Sequence, residues 1–196
     1  MKTWVKASVG GALGTGLVVV GLVGCVSSWV VLKGGGVFPR NPAFTIVPRE
    51  YTAEELARAG LRTDGVYMVD RWHPPELDEE VRKYWTRWSG SLGSGYYRFW
   101  ANGRTMDRTV WLGVKPEDFT AEHADSFERA WLGYYQILPD GSIEVEYYTS
   151  RDVYQKKRIR IRNGEIWLRR GEYKGQPSYL VYRFRPVPGM KAQPDW

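Results

Sequence analysis

From residue 94 onward the chain alternates apolar and polar positions in short runs separated by turn residues, a pattern that predicts antiparallel strands with one buried face each. In Arg158-Ile159-Arg160-Ile161-Arg162 the isoleucines share one side of a strand and the arginines the other, because successive side chains point to opposite faces. The same period places Ile143, Val145 and Tyr147 inside with Glu144 and Glu146 outside, facing Lys157 or Arg158 on the next strand. It also places Tyr182 and Phe184 inside, with Arg183 and Arg185 outside. Three hairpins follow. SGYYRFW turns at Ala101-Asn102-Gly103-Arg104 into RTMDRTVWLGV, WLGYYQIL turns at Pro139-Asp140-Gly141-Ser142 into SIEVEYYTS, and QKKRIRIR turns at Arg162-Asn163-Gly164-Glu165 into EIWLRRGEY. Asn-Gly suits such turns because both residues tolerate positive φ. SYLVYRFRPV closes the series.

Before residue 94 the period changes. Thr52-Ala53-Glu54-Glu55 forms a capping box that predicts a short helix to about Gly60, and Asp64-Gly65 turns into a strand through Asp70. Residues 74–83, with prolines first, acids next and bases last, read as a helical insertion, and a brief helix is expected over Thr120–Phe127. Together these predict a mainly β domain. It is an antiparallel up-and-down meander of about eight strands forming a small barrel or half barrel, with two or three short helices; an open sheet packed on the helices is the alternative.

The first residues, MKTWVK, hold two lysines and no acid, and an uncharged run extends from Ala7 to Leu32. This is the positive start and apolar middle of an export signal. Leu-Val-Gly-Cys at 22–25 resembles the lipobox of bacterial lipoproteins, which implies a signal peptide over 1–24 and lipidation of Cys25. Alternatively, the run over 7–32 is long enough to cross the ~30 Å hydrocarbon core as one helix, or the signal is cleaved without lipidation. Both leading alternatives place the later residues outside the cytoplasm, in the bacterial cell envelope. Val26 is not the aspartate that resembles an inner-membrane retention signal, which leans the expectation toward the outer membrane. Residues 25–50, rich in glycine and proline over 34–50, read as a tether, 51–186 as the barrel-like domain and 187–196 as a tail. Cys25 is the single cysteine, so the exported domain folds without disulfides.

Loss of residues 1–24 would remove two lysines from 28 basic and 22 acidic side chains, leaving 26 − 22, or +4. That balance is a mildly basic mixed surface rather than a polycation. The arginines at 158, 160, 162, 169, 170, 183 and 185 interleave with aromatics in a way that nucleic-acid platforms also show. Export excludes that partner, and a solvated strand face accounts for them.

The inventory for catalysis is poor, and the protein is expected not to be an enzyme. His123 lies with Asp125 and Ser126 within four residues of one helix, a spacing that does not aim a triad, and no Gly-x-Ser-x-Gly elbow occurs. His73 and His123 lack zinc-ligand spacing, the acids at 76–80 lack a calcium loop, and Gly90–Gly95 is followed by no phosphate-loop lysine, so no metal or cofactor is expected. What remains is the aromatic content. It fills a small β core, or in part lines a cavity, with Tyr96, Trp100, Trp131 and Tyr147 as the candidate ligand-binding residues.

Leu-Arg-Thr-Asp-Gly-Val-Tyr at 61–67 and Tyr97-Arg98-Phe99-Trp100-Ala101-Asn102-Gly103-Arg104 resemble segments of a group of bacterial membrane lipoproteins, which brings no activity to transfer. The layout is similar to lipocalin-like domains, although Gly65-Val66-Tyr67 stands where lipocalins carry Gly-x-Trp. The resemblance implies an up-and-down barrel that holds a small apolar ligand. The expected function is therefore that of a membrane-anchored extracytoplasmic lipoprotein binding a small apolar or envelope-derived ligand. The alternative is a structural or assembly protein docking an envelope partner through its basic strand face. An open cavity of roughly 300 Å³ or more within the barrel separates the two, and ordered aromatic packing through its centre would speak against an enclosed ligand.

Overall fold

The computed structural model describes residues 29–32, 35–89, 94–110, 114, 116–149, 153–194 and 196. Cys25, the signal peptide and the glycine-rich connection at 90–93 lie outside the described residues. Strand β1, Trp29–Val31, pairs with β2, Val37–Pro39. A helix crossing a membrane would therefore have to lie within residues 7–28. No helix among the described residues is long and apolar enough to cross one.

The domain is mainly β. After helix α1, Ala53–Arg58, come β3, Gly65–His73, helix α2, Pro75–Ser89, β4, Ser94–Phe99, and β5, Arg104–Val110. A short helix α3, Ala121–Asp125, precedes β6, Ala130–Ile137, β7, Ile143–Tyr148, β8, Tyr154–Ile159, β9, Ile161–Arg162, β10, Glu165–Tyr173, and β11, Gln176–Pro186. The sheet order is β8-β7-β6-β5-β4-β3-β11-β10-β9, antiparallel throughout. The two edges are consecutive in the chain. One strand bends at Arg160 and serves both, and the Arg160 carbonyl accepts from the Trp167 N–H at 3.3 Å. The sheet is thus a nearly closed barrel, as the alternation predicts, which removes the exposed edges that an open sheet leaves.

The predicted turns are present with one difference. Asn163 and Gly164 both have positive φ, of 51° and 75°, as a two-residue hairpin requires. At Asn102-Gly103 only the glycine is left-handed, at 77°, because the loop spans Trp100 to Arg104 and needs one such residue. A further turn at Lys174-Gly175, with φ of 50° and 78°, joins EIWLRRGEY to the closing strand. Helix α2 continues to Ser89 rather than ending near Lys83. The Thr52 capping box forms as predicted, with the Glu55 N–H donating to Oγ1 and Oε2 accepting from the Thr52 N–H.

Two apolar layers share the sheet. Inside, Tyr51, Leu56 and Leu61 close the α1 end, and rings touch in series: Tyr51 on Tyr135 at 5.1 Å, Tyr135 on Phe99 at 5.3 Å, Phe99 on Tyr97 at 6.2 Å and Tyr97 on Tyr182 at 4.8 Å. Ordered aromatic packing therefore fills the centre. Outside, Phe38, Ile46, Tyr96, Trp100, Phe127 and Leu132 form a second core on the opposite face of β4–β6. Within the stretches expected as a tether and a tail, Phe38, Ile46 and Val187 are instead buried in it, and the Trp196 ring meets Phe38, Trp100 and Phe127. Glu146, expected outside, is buried beneath residues 45 and 46.

Candidate functional site

The end of the barrel opposite α1 is its mouth, where β3, β5, β7 and β10 finish and β4, β6, β8 and β11 begin. Strand parity delivers the side chains there. Counting back from buried Ile159 turns Lys157 inward, and counting on from buried Thr105 turns Asp107 inward. Lys157 Nζ lies 3.1 Å from Asp107 Oδ2, with the two side chains only 16% and 13% exposed. The ammonium also stands 5.3 Å from the Trp131 ring, 5.5 Å from Tyr147 and 6.0 Å from Tyr97. Aromatic faces attract the cation and shield it from water, while Asp107 neutralises it.

Below this pair lie three tyrosines. Burial first, and the Asp107 carboxylate second, push the Tyr97, Tyr147 and Tyr182 hydroxyls up from their ordinary range, so all three remain neutral phenols. The Tyr147 hydroxyl meets Thr105 Oγ1 at 3.4 Å, whereas the buried Tyr97 hydroxyl has no well-formed hydrogen bond among the described residues. Such an orphan is uncommon in a packed interior.

Trp131 also borders a cavity of about 380 Å³ on the flank of the mouth, lined by Gly35, Val37, Glu128, Arg129, Ala130, Trp131, Tyr148 and Thr149. It lies between the tip of the β1–β2 hairpin and the neighbouring ends of β6 and β7. Its lining is predominantly apolar, with Glu128 and Arg129 at the rim. A second cleft, about 480 Å³, lies at the α1 end between Arg49, Glu55, Arg58 and the Leu138–Gly141 turn. Charges at that cleft are engaged: Arg49 meets Glu55 at 2.7 Å, and Asp140 receives Arg158 at 2.8 Å and Arg160 at 2.7 Å.

The four candidate ligand residues divide between the two faces of the sheet. Trp131 and Tyr147 come together at the mouth. Tyr96 and Trp100 belong to the outer core, where the Tyr96 hydroxyl donates to the His123 carbonyl at 2.8 Å and Trp100 Nε1 donates to the Ala192 carbonyl at 3.0 Å. Asp107 and Tyr97 were not singled out in the sequence as site residues, and Lys157, expected outside opposite Glu144 or Glu146, instead pairs with Val145 and points inward, while Arg158 stands opposite Glu144. Parity from Ile159 is the signal that would have found Lys157. Asp107 follows Met106, whose burial lies on the outer face, so apolarity misleads there.

His123 caps its own helix, its Nδ1 accepting from the Thr120 N–H at 3.1 Å. Among the described residues no group of three or more His, Cys, Asp or Glu side chains is placed to hold a metal ion. No family model, curated protein or solved structure matches the chain.

Proposed function

We propose that the protein is a membrane-anchored, extracytoplasmic binding domain that takes up a small amphiphile at the flank of its barrel mouth without catalysis. The reading rests on the apolar cavity of about 380 Å³ at Val37, Trp131 and Tyr148, a volume within the range of small-molecule sites. The packed barrel centre argues against a deeply enclosed ligand and favours this lateral site. Trp131 joins the cavity to the Lys157–Asp107 pair, so an apolar body in the cavity and a polar group at the mouth are served by neighbouring side chains. Docking through a basic face has less support. Arg158 and Arg160 are spent on Asp140, and Arg71 and Arg183 on Glu165.

The test is photo-crosslinking. The full chain in phospholipid vesicles is exposed to a diazirine-bearing fatty acid, and labelled peptides are mapped by mass spectrometry. Label is expected at Val37, Trp131 and Tyr148, reduced at least several-fold in Val37→Glu, which puts a charge in the cavity lining. Label absent from these residues, or unchanged in Val37→Glu, would refute the proposal.

A further inference from the structure

The β1–β2 hairpin is apolar on both sides. Val30, Leu32 and Phe38 face the outer core, while Trp29, Val31 and Val37 face away at 41%, 64% and 37% exposure. Val31 and Val37 are direct cross-strand partners, so their side chains share one surface next to the flank cavity. Three large apolar side chains on a six-residue pair are costly to hold in water. The chain just before them, read as a membrane anchor, would bring them to a bilayer. Trp29 follows Cys25 by four residues, which an extended chain spans in at most ~14 Å. It directly follows Ser28 if residues 7–28 cross the bilayer.

We infer that the outward face of this hairpin, Trp29, Val31 and Val37, lies on the bilayer interface, so that the barrel mouth and the Trp131 cavity open toward lipid. Tryptophan at the headgroup level and valines beyond it suit that zone. A flank cavity rimmed by Val37 would then load from the membrane, and the chemical class of its ligand is an acyl-chain lipid. The inference rests on the membrane-anchored reading but not on occupancy of the cavity.

The test uses the full chain reconstituted in phosphatidylethanolamine–phosphatidylglycerol vesicles containing lipids brominated on the acyl chains. Bromine quenches nearby tryptophans, and the difference between wild type and Trp29→Phe isolates Trp29. The quenched amplitude should fall in Trp29→Phe and stay at the wild-type level in Trp167→Phe, a half-buried position on β10 away from the hairpin. Equal quenching in wild type and Trp29→Phe overturns the inference. Flotation with the vesicles reports anchorage separately. A chain that floats with no Trp29 quenching refutes the hairpin contact alone, and a chain that does not float refutes both.

Discussion

Glu146 follows the alternation of β7 outward and is nevertheless buried, because Thr45 and Ile46 cross over it. Its Oε2 accepts the Thr45 N–H at 2.7 Å, the Ile46 N–H at 2.9 Å and the Thr45 hydroxyl at 3.2 Å. Donors converging on one oxygen replace the water that the carboxylate gives up. Glu146→Ala leaves the buried Ile46 N–H and the part-buried Thr45 N–H unpaired and is expected to cost about 2–3 kcal/mol. It should also expose residues 43–46 to proteolysis, whereas Glu146→Gln, which retains an oxygen, should cost less. Urea denaturation and limited proteolysis measure both. Period two identified the face of Glu146 but not its burial, because the segment that covers it has no period of its own. Lys157 is the converse: Ile159 fixes its inward direction, but its charge suggests solvent until Asp107 and three rings are seen to surround it.

Strands and hairpins were legible where local chemistry decides them. Arg158 to Arg162 sort by face, and Asn163-Gly164 turns the chain with the backbone that its residue types favour. The outer layer was not legible, because Phe38, Ile46 and Val187 are buried by what they meet rather than by a pattern of their own. One signal was present: consecutive aromatics in Tyr96-Tyr97 and Phe99-Trp100 need apolar surroundings on both sides of one strand, and β4 has them. The β6–β7 pair shows how closely the strands approach. A Cβ on Gly133 would stand 1.9 Å from the Glu146 carbonyl oxygen, a backbone atom that cannot swing aside. Gly133→Ala should force the two strands apart and cost about 1–3 kcal/mol, read as a lower thermal midpoint with the β spectrum retained.

A second charged knot fastens the outer layer to the barrel. Arg98, 4% exposed, donates to Asp125 Oδ1 at 2.7 Å and to the carbonyls of Ala124 and Ala192, while the Lys191 N–H donates to Asp125 Oδ2 at 2.7 Å. Burial acts to raise the Asp125 carboxyl, but the Lys191 N–H and the Arg98 guanidinium outweigh it, so its pKa lies below the ordinary value. A depressed carboxyl stabilises the fold above its unfolded pKa and loses that contribution as pH falls. Asp125→Ala should therefore cost about 3 kcal/mol at pH 7, because Arg98 remains buried and unpaired. The gap from wild type should narrow as pH falls below about 4, where the unfolded chain takes up a proton that the folded carboxyl does not yet accept. Thermal midpoints of both proteins across pH 3–7 decide it. The ring of strands has a further consequence. Strand β3 is flanked by β4 and by β11, which ends at Pro186, so the first barrel strand lacks one neighbour until nearly the whole chain is present. Pairing across so long a loop is slow to form. A chain threaded through a narrow export channel from its N-terminal end would thus remain unlocked during transit, and would close only when its last strand arrived on the far side.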